Sequence, residues 1–392
     1  VAAARGDDAV LMATLAQAPS RTDTTAPATG APRISPSVRH LGPNWYAAVM
    51  GTAIVANAGA ALPLTGPGPR TACQVVWGLS VLMLLTLLGA RTVHWVRHGD
   101  QARRHLLDPA VAPFYGCLAM ALLAVGGGTL AVGRDVIGAP AAVAADAVLW
   151  TVGTLAGLAG AAAIPYLMVT RHRIEPGSAS PVWLLPLVAP MVSAALGPAL
   201  VPHLPAGQWQ QALLLVCYAL FGMSLLATLL VLPLVLSRLL HHGPLPLALT
   251  PTLFLVLGPL GQSTTAVNNL ADAAPGVVDL STAHAMGAFA VLYGVPVMGF
   301  ALLWLALATA LVVRAFRRGM GFSMTWWGFT FPLGTCVTGA AGLALHTGLT
   351  AFDWLAVALF AVLVTAVAVA GTRTAAGLAH GRLLTPPRPV TP

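Results

Sequence analysis

Apolar residues in this chain come in repeated runs of about twenty, long enough to cross a hydrocarbon core about 30 Å thick. "VLMLLTLLGA" at 81–90 and "LLATLLVLPLVLSRLL" at 225–240 are parts of two such runs. The runs are continuous and lack the alternation of a barrel strand, so the spanning elements are helices, whose backbone groups are satisfied within the segment. Composition agrees: 57% of residues are hydrophobic and 8% charged, with a mean hydropathy of +0.83, whereas soluble domains carry about 25% charged residues. The sequence predicts an all-α integral membrane protein, with the lipid bilayer as its first partner. Ten transmembrane helices are drawn at approximately 45–64, 72–93, 112–132, 143–170, 183–202, 208–237, 249–270, 283–313, 325–346 and 354–374. An even count puts both termini on one side.

Arginine placement says which side. The chain has no lysine, and its nineteen basic residues are all arginine. With the N-terminus inside, cytoplasmic segments hold Arg5, Arg21, Arg33, Arg39, Arg91, Arg97, Arg103, Arg104, Arg171, Arg173, Arg238, Arg314, Arg317, Arg318, Arg373, Arg382 and Arg388. Only Arg70 and Arg134 fall outside, which is a positive-inside pattern with both termini cytoplasmic. Asp135, Asp146, Asp272, Asp279 and Asp353 all fall in or near outer loops. The basic excess sits in short loops, which argues against a nucleic-acid partner. It forms an inner rim that would attract anions, although topology alone accounts for such a rim.

Residues 1–40 are rich in Ala, Thr, Pro, Ser and Arg without a sustained helical face, and read as a disordered cytoplasmic extension. They lack the basic start, apolar centre and cleavage site of a signal peptide. Residues 41–375 form the transmembrane domain, and 376–392, ending "LLTPPRPVTP", read as a disordered tail. Cys73, Cys117, Cys217 and Cys336 are scattered singly in apolar runs, so packing is expected of them, with no disulfide, metal site or cofactor.

Glycine and proline concentrate in the odd-numbered spans: Gly51, Gly59 and Pro63; Gly126 to Gly128; Pro186, Pro190, Gly197 and Pro198; Pro251, Gly258, Pro259 and Gly261; Pro332 and Gly334. A proline bends a helix and frees a carbonyl, which in lipid must face protein or a cavity. Pro332 would release the carbonyl of Gly328, and Thr335 could bond back to that of Phe331. Five kinked helices alternating with five plainer ones imply an inner and an outer ring; close packing through small residues is the competing reading. Polar residues at depth are neutral. Asn57 lies in the first span, Gln262, Thr265 and Asn269 share one face of the seventh, and Phe331, Thr335 and Thr338 share one face of the ninth. No acid or arginine stands at the centre of a span, which favours a channel over a proton-driven pump. A loop residue, His284 or His346 leaves coupling open. An enzyme would need a nucleophile beside a base, and Ser193, Ser224 and His346 stand in separate spans.

Four motifs in order, "GPNWYAAVMGTAIVANA" at 42–58, "SPVWLLPLVAPMVSAALG" at 180–197, "GPLGQS" at 258–263 and "FSMTWWGFTFPLG" at 322–334, carry a resemblance. Across residues 40 to 375 the chain resembles the tellurite-resistance/dicarboxylate transporter family, which includes plant slow-type anion channels and fungal malate and sulfite transporters. The resemblance implies ten helices as five helical hairpins in quasi-fivefold arrangement around a central pore, typically in a homotrimer. It implies a phenylalanine gate on the ninth helix, best matched by Phe331 with Phe329 second. The pore lining it implies comprises Gly51, Asn57, Pro190, Gly258, Gln262, Thr265, Asn269, Pro332, Thr335 and Thr338. Ala53 departs from the glycine more usual there and adds a methyl near the path. The implied function is passage of small anions (chloride, nitrate, sulfite, tellurite or dicarboxylates such as malate) across the plasma membrane, with "GPLGQ" and "FTFPLG" leaning toward the sulfite and malate branch. A proton-coupled exporter of a toxic anion or organic acid is the alternative, and an intramembrane enzyme a remote one.

Overall fold

The computed structural model describes residues 38–63 and 66–384. The expected N-terminal extension lies outside these residues except for Val38–His40, as does the tail beyond 384. Among the described residues every regular element is helical, and pairing is limited to one isolated bridge, Pro275 with Val278. In chain order the helices are α1 Tyr46–Ala61, α2 Pro67–Arg97, a short α3 Gly99–Leu107, α4 Ala112–Ile137, α5 Ala139–Thr170 and α6 Pro181–His203. They continue with α7 Gln208–His242, α8 Leu257–Ala273, α9 Leu280–Arg317, α10 Met324–Thr347 and α11 Thr350–Ala379. Eight are long and apolar enough to cross a membrane: α2, α4, α5, α6, α7, α9, α10 and α11. The other two expected spans are helical as well. However, α1 has only 16 residues, and α8 carries Gln262, Ser263, Thr264, Thr265, Asn268 and Asn269. The last helix runs past the expected limit at 375 to Ala379, because no helix breaker follows Arg373 until Gly377, which Leu383 covers.

Burial divides these helices into two sets. In α4, α6 and α10, 78–83% of the most apolar stretch is buried inside the protein, against 22–33% in α2, α5, α7, α9 and α11. Nearly every residue of α1 and α8 is buried too, which places them with the first set. The exposed set has 30–38 residues per helix, or about 45–57 Å at 1.5 Å per residue, and so overreaches a 30 Å core by several turns at its ends. Leu82, Leu85, Val152, Leu155, Leu226, Leu230, Leu292 and Leu303 stand exposed on it and suit acyl chains. Each buried helix is followed by an exposed helix that packs on it, and the buried helices touch in cyclic order: α1 with α4, α4 with α6, α6 with α8, α8 with α10, and α10 with α1.

The buried helices also share a way of starting. Each opens on a 3₁₀ turn: Pro43–Trp45, Ala112–Tyr115, Pro181–Trp183, Leu247–Val256 and Met324–Phe329. Proline stands in the first turn of the first three, where its missing N–H would have had no partner anyway. The same reason corrects the expectation for Pro332. The α-helical part of α10 begins at Phe331, so Pro332 lies in its first turn and initiates the helix; it does not kink its middle.

A polar cluster fastens the end of α2 to α3 and to the chain entering α1. The Arg91 guanidinium donates to the Leu41 carbonyl at 2.6 Å and to the Tyr115 hydroxyl at 3.2 Å. The His94 and His105 rings stack with centroids 5.4 Å apart and planes 3° from parallel. Burial, reinforced by Arg91 and His94, pushes the His105 imidazole down to about 4. A depressed imidazole stabilises the docked arrangement fully above its ordinary value near 6.5 and loses that contribution as pH falls toward its folded value. Acidifying the purified protein from about pH 7 to about 4.5 should therefore lower its thermal unfolding midpoint, and His105→Gln should blunt that fall. An equal fall in parent and variant would show that His105 is not the group responsible.

Candidate functional site

All five buried helices contribute to one cavity of about 420 Å³. Its wall takes Ile54 and Asn57 from α1, Ala124 and Gly127 from α4, Val192, Ala195 and Leu196 from α6, Gln262, Thr265 and Asn269 from α8, and Thr338, Ala341 and Gly342 from α10. Arg134, His203 and Asp272 line it near the ends at which these helices finish. At the other end stands Phe331, only 2% exposed. Beyond its ring is a void of about 10 Å³ lined by Met50, Met120, Leu185, Val188, Leu255, Gly258 and Pro332, barely the space of one water. A second void of similar size, sharing Met50, Leu185 and Leu255, continues among Phe114, Cys117, Thr252, Met324 and Gly328. Phe331 thus stands between a roomy cavity with amides and hydroxyls in a largely apolar wall and an apolar constriction.

Away from its mouth the cavity wall is neutral, and most of its polar groups there are held in place. The Asn57 side-chain amide donates to the Ala124 carbonyl at 2.8 Å, and that of Asn269 to the Ala195 carbonyl at 2.7 Å. The Thr265 and Thr338 hydroxyls bond each other at 2.7 Å. Gln262 is different: the residue is 2% exposed, its side chain forms no hydrogen bond among the described residues, and its Oε1 is buried without a partner. At the mouth Arg70 holds Asp135 at 2.8 Å, while Arg134 stands 4.0 Å from the same carboxylate and lines the cavity. Asp272 pairs with His346 Nε2 at 3.2 Å. Among the described residues no group of three or more His, Cys, Asp or Glu is arranged to hold a metal ion.

Of the residues singled out from sequence, Asn57, Gln262, Thr265, Asn269, Phe331 and Thr338 meet in the cavity, and Gly258 and Pro332 line the void beneath Phe331. The others lie elsewhere. Gly51 packs against α10, where an added methyl would stand 2.1 Å from Thr330 Oγ1 and 2.9 Å from Trp327. Pro190 is buried within α6, away from the cavity lining. The Thr335 hydroxyl donates to the Pro332 carbonyl at 2.7 Å and not to that of Phe331 as expected, because the first α-helical turn offers the carbonyl three residues back. Phe329 lies edge-on to Phe254 at 4.9 Å and lines an apolar groove with Phe316, Trp326 and Val362.

Sequence reasoning passed over Arg134 and His203, and it placed Asp146 near an outer loop. In the structure α5 starts at Ala139, two turns before Asp146, and the carboxyl is 1% exposed. The signal was Pro140 at the second helical position, a marker of helix starts. Ser193 and Ser224 have structural partners: the Thr154 hydroxyl donates to Ser193 at 2.9 Å, and Ser224 donates to the Leu187 carbonyl at 2.6 Å.

The family model for voltage-dependent anion channels (SLAC1) matches residues 40–375. An uncharacterized transporter of Methanocaldococcus jannaschii is 26% identical over 301 residues, 76% of this chain and 82% of the relative. A sulfite efflux pump of Trichophyton rubrum is 28% identical over 339 residues, 84% of this chain and 88% of the pump. One from Arthroderma otae is also 28% identical, over 340 residues and the same shares. The chain belongs to the voltage-dependent anion channel family, the family its four motifs resemble, and is a membrane-spanning anion transporter.

Two glycines one turn apart in α8 meet different surroundings. A methyl on Gly261 would stand 2.5 Å from the Cys336 backbone nitrogen, whereas one on Gly258 meets nothing within 4 Å. Gly261→Ala should cost about 1–3 kcal/mol, and Gly258→Ala should leave stability level or raise it by about 0.4–1 kcal/mol. Unfolding midpoints in detergent measure both, and equal losses would contradict the close approach of α8 and α10.

Proposed function

We propose that this family member conducts small inorganic anions, sulfite foremost, through the cavity inside the buried helices, with the Phe331 ring as the gate. The observation that carries the reading is the position of Phe331 between a cavity of about 420 Å³ and a void of about 10 Å³. The choice of sulfite rests on the sulfite efflux pumps among the relatives. Neutral donors suit conduction, because an amide and hydroxyls attract an anion without holding it as tightly as a fixed charge, so binding and release both remain fast. Arg134 at the mouth adds a cation where an anion enters or leaves.

The whole chain then forms ten passes as five helical hairpins in quasi-fivefold order around the pore. The alternation of buried and exposed helices and the cyclic contacts of the buried set support this arrangement. Arginine placement supports cytoplasmic termini in the plasma membrane, which turns the wide cavity outward and sets Phe331 toward the cytoplasm. The family resemblance supports a homotrimer with a pore in each protomer. A second reading, proton-coupled export, draws on the Asp272–His346 pair beside the cavity.

Flux in proteoliposomes tests both. Phe331→Ala should raise sulfite flux about tenfold or more, equivalent to lowering a barrier by at least about 1.4 kcal/mol. Phe329→Ala should leave it near the parent level. Unchanged flux of sulfite, chloride, nitrate and malate through a folded Phe331→Ala protein would remove the gate, and flux only under a pH gradient would favour coupled export.

A further inference from the structure

Asp146 is the one acid buried to this degree among the described residues of the helix bundle, 1% exposed, and both its carboxyl oxygens lack any hydrogen-bond partner. It lies seven residues into α5, about 10 Å from the helix start at 1.5 Å per residue. Its neighbour is Gly126 of α4, where an added methyl would stand 2.5 Å from Asp146 Oδ1 and 3.1 Å from Leu149. The next residue, Gly127, looks the other way, toward Leu196 and Asn57 of the cavity wall at 3.1 and 3.3 Å from an added methyl. Gly128 faces Trp77 and Asn57, and α4 then widens into a π turn at Thr129–Gly133. One glycine-thin stretch of α4 therefore lies between the acid and the cavity.

An ionised carboxylate without a partner is expensive to bury, and within a membrane it marks a functional site by default. Among the described residues no neighbouring element relieves it. On α4 the ionisable groups are Tyr115 and Cys117 at one end and Arg134 and Asp135 at the other. Asp135 is held by Arg70. On α6, which meets α5 where Trp150 donates to the Ser193 carbonyl, the ionisable group is His203, ten residues farther on. Cys217 of α7 lies beside Trp150 at Gly197, and α5 itself adds only Tyr166. No hydrogen bond joins any of these to the Asp146 carboxyl.

We propose that Asp146 is a proton-binding site of the transport domain, neutral while α4 packs as it does here, whose ionisation displaces the Gly126–Gly128 stretch and with it the cavity wall, linking anion flux to pH. The flux part rests on the anion-conducting reading above; the proton site does not. Difference infrared spectra of the protein in liposomes, titrated with acid and base, should show the C=O band of a protonated carboxylic acid that is lost in Asp146→Asn. Should that variant fail to fold, Asp146→Glu, which keeps an acid, should shift the band. Flux of chloride or nitrate, whose charge does not change with pH, should vary with pH in the parent and lose that variation in Asp146→Asn, whose amide mimics the neutral acid. A band left unchanged by either substitution overturns the proton site. The parent's pH profile retained in Asp146→Asn overturns the link to flux. A band present in a parent without sulfite flux would uphold the site and reject sulfite.

Discussion

The backbone contact between α8 and α10 is the interaction on which the rest of the cavity depends. Gly261 sits where a methyl would meet the Cys336 nitrogen at 2.5 Å, and Gly339 where one would lie 3.0 Å from the Gly261 carbonyl oxygen. Asn268 crosses the same seam and donates to the Gly339 carbonyl at 3.3 Å. In lipid, helix association draws on such close packing and on interhelical hydrogen bonds, since burial of apolar surface offers no gain over acyl chains. With these axes so close, Thr265 reaches Thr338, Gln262 opens into the cavity, and Phe331 stands at its end.

The two sets of helices divide the work by chemistry. The exposed helices are long and apolar, and apart from the turns at Pro165, Pro233 and Pro296 their backbone groups are satisfied within the helix. That shelter allows the buried helices to begin as 3₁₀ turns and to carry amides and hydroxyls that would be costly on the lipid face. The result is a largely apolar wall set with neutral amides and hydroxyls and without fixed charge at depth, with Arg134, Asp272 and His346 kept to the mouth. Such a wall suits passage, since a buried fixed charge would hold an anion in place.

Much of this is legible in the sequence. Glycine and proline in alternate spans mark the buried helices, and spacings of three and four bring Gln262, Thr265 and Asn269 to one face. What cannot be read is helix rotation. A 3₁₀ turn advances about 120° per residue against about 100° in an α-helix, so the six residues Met324–Phe329 turn the following helix by about 120° relative to a continuous α-helix. Two residues apart, Phe329 and Phe331 point to opposite faces of either kind of helix; the accumulated rotation decides which of those faces meets the cavity and which the outer groove. Gly51 and Thr335 escape for a related reason: spacing tells which residues share a face, but not whether that face meets a neighbouring helix or open space. Asp146 escapes because the expected start of α5 falls four residues late.

The claim that Phe331 closes the cavity is tested most directly by thiol accessibility on its two sides. The four native cysteines are buried and free and can be replaced to give a silent background. Single cysteines would then be placed at Ala341, in the cavity, and at Gly258, beneath the ring, and exposed to a membrane-impermeant reagent from the side onto which the cavity opens. The expected result is rapid labelling of Ala341→Cys and protection of Gly258→Cys, with that protection lost once Phe331→Ala is added. Labelling of Gly258→Cys as fast as Ala341→Cys with Phe331 in place would contradict closure by the ring.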